Sequence, residues 1–432
     1  MSKLRLHGTS SGYTDIAPTA AAGNNTLTAP TGTGTIVIKD GSGAIGITSV
    51  QATNANFSGT IRITSGISTT LTVGGVNVLN SDGVNTSGIV TAATFVPTVG
   101  QLSNRNLMIN GAMNVAQRGT SSTTIGYHTL DRFQIGYGGH DEVLTVSQHT
   151  LTSSDTGPYA EGFRKSFHVQ NGNQTSGADA ADYSQIVYRP EGQDINRSGW
   201  NFTDPNSKVT LSYWVKSSVA QNFYGFMETS GPTRVFPWET GSLTANTWKK
   251  VTVTIPGYAS IVIPDTNGTA FSLAFLPFYG TGYTHASARA VGSWYDATPY
   301  CPNNTSTWWT TNDSTFEITG IQLEVGSVAT PFEHRSYGDE LARCQRYYYR
   351  AIADTSDDFG SGFNSSTTQC RPTIVFPVTM RNAISAVETT GTASDYKVAH
   401  GGTETNCSSV PTYSGGSKIN ARCIFTTSGL TA

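Results

Sequence analysis

Charge is what this 432-residue chain has least of. Asp, Glu, Lys and Arg make up 13% of it, about half the roughly 25% of an ordinary soluble chain. Long solvent-exposed helices draw on those residues, so a helical surface is excluded. Neither sign of charge dominates: the net charge is −3 and the pI about 6.2. That removes the electrostatic case for nucleic acid or an anionic membrane as partner. The five cysteines, Cys301, Cys344, Cys370, Cys407 and Cys423, are odd in number and widely spaced. They supply neither a C-x-x-C metal site nor a regular disulfide framework. No apolar run approaches the ~18 residues of a membrane helix, so no membrane insertion is expected. Met1–His7 has no apolar h-region, so no secretory signal is read there, and synthesis in a reducing cytoplasm is expected.

What fills the chain instead is glycine (46), serine (45) and threonine (63), with 44 aromatic residues. The aromatics, with many Val and Ile, supply core material that a disordered chain lacks. The length suggests two to four domains. The expected class is all-β, with a surface of hydroxyls and amides.

Residues 1–103 differ from the rest. They carry no tryptophan and few charges. Thr35–Lys39 and Thr60–Thr64 read as short strands between Gly and Asn turn signals. A weak repeat places Gly-Ile at 46–47, 66–67 and 88–89. Strands so poor in bulk cannot bury a core alone and need stacked or intertwined neighbours. A three-chain shaft and a single-chain solenoid both meet that need. From Asn104 longer strands begin. Lys208–Lys216 alternates, with Val209, Leu211, Tyr213 and Val215 on one face. Val251, Val253 and Ile255 share a face in the next such run. In Phe316–Val325 the apolar phase reverses at Gly320, where a bulge is expected to turn the strand over the edge of a sandwich. Spacing and turns predict an antiparallel β-sandwich of about 200 residues. Trp214 and Trp248, within strands, are expected in its core or between chains. One helix comes next: Ser336 and Asp339 have capping-box spacing, and Leu341, Cys344 and Tyr348 recur at helical intervals, with Cys344 packing inward. Thr373–Val378 and Ala421–Thr426 read as strands of a smaller C-terminal β-domain.

Some of these phrases are specific. Asn106–Thr120 (NLMINGAMNVAQRGT) with Tyr127–Phe133 (YHTLDRF) after it resembles the opening of the carbohydrate-binding-module-like jelly roll of bacteriophage tail fibre and virion appendage proteins. Leu211–Ser218 and Thr247–Val253 are similar to its central strands. Ile321–Glu333 through Glu340–Tyr348 resembles its closing segment, and Ile374–Arg381 the start of the C-terminal tip. The resemblance spans residues 104–390 and implies a virion structural protein, usually trimeric, that touches the host surface. The expected organisation is a virion-attachment segment (1–35), a β-repeat shaft (36–103), a jelly-roll domain (104–335) and a helix plus β-tip (336–432). Expected partners are two sister chains in an intertwined homotrimer, other virion proteins through the N-terminal segment, and host polysaccharide or lipopolysaccharide. A capsid fibre, decoration protein or tail adaptor of purely structural role remains open, as does a polysaccharide-degrading tailspike.

Chemistry is thin by comparison. The eight histidines are dispersed without H-x-x-x-H or H-E-x-x-H spacing. Asp265–Gly268 and Asn80–Gly83 read as tight turns rather than Ca²⁺ loops. The acidic pairs Asp141–Glu142, Asp339–Glu340 and Asp357–Asp358 are local, so no catalytic residue, metal or cofactor is assigned and a non-enzyme is expected. Sugar rings stack their C–H faces on Trp and Tyr while amides and hydroxyls bond their oxygens. Trp294, Tyr295, Tyr300, Trp308 and Trp309 lie in a stretch rich in Ser, Thr and Asn and are the candidate ligand contacts. If the segment is extended, adjacent aromatics point to opposite faces and one of Trp308 and Trp309 is expected at a surface; packing under a long loop or between protomers is the alternative. Tyr347–Tyr349 are expected to pack between the two C-terminal domains.

Overall fold

A computed structural model describes residues 103–285, 290–296, 298–351 and 358–430, together with the backbone of four short strands nearer the N-terminus. The chain divides into two compact units, Met1–Ala93 and Thr94–Ala432. In the first, Leu4–His7 pairs antiparallel with Tyr13–Ile16, and Leu71–Val73 with Val76–Leu79. The strands expected at 35–39 and 60–64 lie outside the described residues.

The second unit is a jelly-roll β-sandwich. Its six-stranded sheet runs, edge to edge, Lys249–Pro256, Lys208–Ser217, Thr315–Val325, Lys165–Gln170, Thr145–Thr150 and Ser121–Ser122. The five-stranded sheet runs Val235–Glu239, Tyr224–Thr229, Phe271–Tyr279, Tyr183–Tyr188 and Phe133–Gly138. All these pairings are antiparallel. The alternation of Val209, Leu211, Tyr213 and Val215 sends all four into the space between the sheets. There they meet Phe133, Ile186, Met227, Leu273 and Phe275 from the opposite one. Burying such side chains contributes about 1.5–3 kcal/mol each. Among the described residues no helix is long and apolar enough to cross a membrane.

Gly320 does not turn its strand over an edge. The pairing slips between Ser212, opposite Gln322, and Trp214, opposite Thr319. The extra residue restores the phase, so Phe316, Ile318, Ile321 and Leu323 all enter one core. Gly320 has φ +64°, and a Cβ there would meet the Phe163 ring at 2.7 Å. A left-handed conformation costs an L-residue roughly 1–2 kcal/mol before any clash. Gly320→Ala is therefore expected to lose about 1–3 kcal/mol, read as a lower denaturant midpoint with unchanged slope. An unchanged midpoint would contradict the bulge.

The phrases that open and close the domain are joined by a seam. Leu107 N–H donates to Leu323 O at 2.8 Å and Ile321 N–H to Gly111 O at 2.9 Å. The Asn106 amide bonds both Ile321 O and Leu323 N–H. The Glu333 carboxylate accepts from the N–H groups of Arg105 and Asn106. Asn110, at φ +63°, donates to Val115 O and Asp131 O. These residues hold the two chain ends of the sandwich together.

The helix, Tyr337–Gln345, starts where expected: Ser336 Oγ accepts from Asp339 N–H at 3.2 Å. It docks on the seam. Buried Glu340 accepts from Asn110 N–H at 2.6 Å, and Cys344 is buried. The three tyrosines beyond it lie between the sandwich and the C-terminal module. Tyr347 lies 3.4 Å from the Arg132 guanidinium, Tyr348 3.5 Å from that of Arg118, and Tyr349 packs edge-on against Phe376. The C-terminal sheet is ordered Gly362–Ser366, Gln369–Val375, Asn420–Thr426 and Thr412–Gly416. The Gln369–Val375 strand stops two residues before Pro377, which has no N–H to continue a ladder.

Trp214 and Trp248 sit on the outer side of the six-stranded sheet, outside the main core. Residues 151–164 cover them with Leu151, Tyr159 and Phe163. Their indole N–H groups donate to Glu161 and Asp155. The position of Trp214 is dictated by the alternation itself, since Tyr213 and Val215 already face inward.

Candidate functional site

The five aromatic candidates separate on folding. Thr307–Thr310 is a helical turn rather than an extended segment, so the rule of opposite faces does not apply, and Trp308 and Trp309 are both fully buried. Trp309 packs on Phe278 and donates to Gly177 O at 2.9 Å. Asn171 Nδ2 bonds Trp309 O at 2.7 Å and closes the turn onto the sandwich. The expected surface position of one of the pair is therefore corrected. Trp294 is half-buried against Phe236 and Tyr258, and its N–H donates to Pro256 O. Tyr295 pairs its backbone with Val235 and donates its hydroxyl to Ala290 O. Tyr300 alone reaches the outer face of the five-stranded sheet. It stacks on Phe226 at 4.6 Å and 24°.

That face is built by alternation. In Tyr224–Thr229, Met227 enters the core, so Tyr224, Phe226 and Glu228 point outward. In Tyr183–Tyr188, Ile186 and Tyr188 point inward and Tyr183, Gln185 and Val187 outward, with Arg189 next in phase. The slip between Phe275 and Phe278 brings Tyr279 outward while Phe278 stays in. The loop after it adds Tyr283. Tyr183, Tyr279 and Tyr283 contact one another with ring centroids 5.2–6.2 Å apart, and Tyr300 lies 6.0 Å from Tyr279. Gly138 makes room for this stripe, since a Cβ there would meet the Tyr183 ring at 2.7 Å. Tyr183, Tyr224, Tyr283 and Tyr300 are half-buried, so each keeps part of its ring open to solvent.

Polar groups flank the aromatics. Tyr279 hydroxyl donates to Gln185 Oε1 at 2.6 Å. Arg189 is held by Gln134 Oε1 and by Ser272 Oγ, the latter at 3.2 Å. Glu228 has no hydrogen-bond donor among the described residues. Burial raises its carboxyl above the usual range, and Arg189 only partly offsets this. Burial also raises Tyr279 and Tyr300, which keeps both hydroxyls protonated at neutral pH. The result is an aromatic stripe edged by amide, hydroxyl, guanidinium and a carboxylate with unused acceptor capacity. It can stack an apolar ring face and bond the hydroxyls around it.

The acidic pairs are taken up locally. Asp141 accepts from Ser176 N–H at 2.6 Å, which lowers its pKa, and Glu142 accepts from Asn173 N–H at 2.8 Å. Asp339 belongs to the helix cap and Glu340 to the seam. Asp357 and the 80–83 turn lie outside the described residues. Asn267, in the 265–268 turn, donates to Arg381 O and Asn382 Oδ1 and so ties the sandwich to the C-terminal module. Among the described residues no group of three or more His, Cys, Asp and Glu could hold a metal.

No family model and no curated protein matches the chain. Among solved structures it is similar to the enzymatically active domain of bacteriophage CBA120 tailspike protein 4 (TM-score 0.28, 9% identity, over 51% of this chain and 21% of that one). It is also similar to a CBM4 module (0.28, 11%, 50% and 97%). A third is the family 11 carbohydrate-binding module of the Clostridium thermocellum cellulase Lic26A-Cel5E (0.24, 14%, 49% and 96%). The chain spans about a fifth of the tailspike domain. At these scores the likenesses carry no weight, and the fold rests on the chain's own sheets.

Proposed function

We propose that this chain is a phage tail fibre that adheres to host cell-surface polysaccharide or lipopolysaccharide and does not cleave it. The observation that carries the reading is the half-open stripe of Tyr183, Tyr224, Tyr283 and Tyr300 beside Glu228, which has no hydrogen-bond donor among the described residues. Low surface charge fits a partner recognised by stacking and hydrogen bonds rather than by Coulomb attraction. Support for the virion-appendage reading comes from the resemblance of the opening and closing phrases to that group. A homotrimer, anchored on the virion through its N-terminal segment, would present three such faces, and avidity can raise weak contacts by 10²–10⁴.

Each part has its own test. Purified chain is expected to bind a subset of host-surface glycans on an array and to release no reducing ends from them on long incubation. Sustained release overturns the non-enzymatic part. Sedimentation is expected to give a trimer, and a stable monomer would contradict that. Gold label on the tail is expected in electron micrographs, and label on the capsid shell would favour a structural capsid fibre instead.

A further inference from the structure

A second, chemically different site lies where the sandwich meets the C-terminal module. A cavity of about 170 Å³ is walled by Arg118, Tyr127, Asp131 and Arg132 from the sandwich, by Cys344, Tyr347 and Tyr348, and by Arg381 from the module. Arg132 is 7% exposed, its ring-stacked guanidinium bonds Arg189 O through one Nη, and its Nε has no hydrogen-bond partner among the described residues. Arg118 uses only Nε, toward Glu388 at 3.3 Å. Arg381 likewise uses only Nε, toward Asn267 O at 2.6 Å. The Nη groups of both therefore have no hydrogen-bond acceptor among the described residues, although the Arg118 guanidinium stacks on Tyr348. The one carboxylate on the wall, Asp131, is already engaged through both oxygens by the Gln117 backbone and side chain.

The lining carries three guanidiniums and one carboxylate, and Glu388 offsets Arg118 from outside it, which leaves about one positive charge in excess. Arg132, buried and with no ion pair among the described residues, holds a charge away from water, which is costly. Guanidinium forks match carboxylate and phosphate oxygens in pairs. The cavity has room for about five water molecules at ~30 Å³ each, which suits a small group rather than a sugar chain. We propose that this cavity binds a compact oxyanion, a carboxylate or phosphate group, between the free guanidinium ends of Arg118 and Arg381. Because the two arginines come from different parts of the unit, the bound anion clamps the C-terminal module to the sandwich. It stabilises the chain by mass action.

The test uses full-length chain, with sodium phosphate and sodium glucuronate as separate probes and chloride holding the ionic strength constant. A saturable rise in melting temperature is expected with at least one probe. The probe that acts separates free phosphate from a sugar carboxylate. Arg118→Gln and Arg381→Gln are each expected to weaken that binding about tenfold, while Tyr300→Ala leaves it unchanged. Arg118→Gln removes a partly exposed ion pair and a ring contact with Tyr348, so its unliganded melting point should fall only slightly, even if Arg381→Gln loosens the module. No saturable effect from either probe, or equal affinity after both substitutions, overturns the proposal.

Discussion

Replacing Trp309 with alanine is expected to cost about 3–5 kcal/mol of stability, the range for deleting a buried aromatic side chain. Trp309 is fully buried against Phe278, and its indole N–H spends itself on Gly177 O. The substitution empties the ring's space and leaves that carbonyl without its donor. The denaturant midpoint should fall steeply, and Trp309→Phe should recover part of the loss by refilling the space. A variant of undiminished stability with impaired glycan binding would instead make Trp309 a ligand contact. The contrast is Tyr300→Ala, where a half-exposed ring is lost and stability should change little.

Lys216→Met is expected to be comparably damaging, at about 3–5 kcal/mol. The Lys216 ammonium lies 3.0 Å from Asp155 and 3.0 Å from Glu317, beneath residues 151–164 and 4.8 Å from the Trp248 ring centroid. Glu317 also accepts from Ser166 Oγ at 2.7 Å and contacts His149 Nδ1 at 3.0 Å. Removing the lysine leaves a buried carboxylate without its main counter-charge. Lys216→Met with Glu317→Leu should cost less than the single change, because the more deeply buried carboxylate is then gone and Asp155 keeps the Thr152 and Trp248 N–H donors. Equal losses from single and double variants would contradict this account.

The same cluster sets an acid limit. Asp155 is held down to about 2 by the Thr152 N–H, Trp248 N–H and Lys216 against its burial, and Glu317 is lowered chiefly by Lys216. Both carboxylates thus titrate lower in the folded chain than the ~3.9 and ~4.3 of unfolded Asp and Glu. Their contribution is full above those unfolded values and is lost as pH falls through the folded ones. His168, lowered by burial, acts in the same direction, since the folded state takes its proton less readily than the unfolded one. Melting temperature should therefore begin to fall below about pH 6.5, through His168, and drop further between about pH 5 and 2, and the second drop should shrink in the double variant.

Much of the sandwich was legible in the sequence because period-2 patterning reports burial directly. The Val209, Leu211, Tyr213, Val215 run did so, and the phase reversal marked Gly320. The consequence of that reversal was not legible, since a bulge that turns a corner and one that restores a phase look alike along a single strand. Of the five aromatic candidates only Tyr300 lies on the tyrosine stripe. Trp308 and Trp309 drew notice as adjacent bulky aromatics, yet a single helical turn buries both. Tyr183, Arg189, Glu228 and Tyr300 are separated by up to 117 positions and meet only through strand order. A signal did exist. In Tyr224–Phe226–Glu228 and Tyr183–Gln185–Val187–Arg189 the phase opposite the core carries aromatics and charge together, which an ordinary solvated face has little reason to combine.

Adhesion through the outer face of the five-stranded sheet is tested most directly by retention on immobilised host-surface glycan. The unaltered chain is compared with a Tyr183→Ala, Tyr300→Ala double variant. Each aromatic contact is worth about 1 kcal/mol or more, and multivalency compounds the loss. Retention should fall by roughly 10²-fold while the melting temperature stays within a few degrees. Unchanged retention by a folded double variant would contradict the account and place glycan binding elsewhere on the chain.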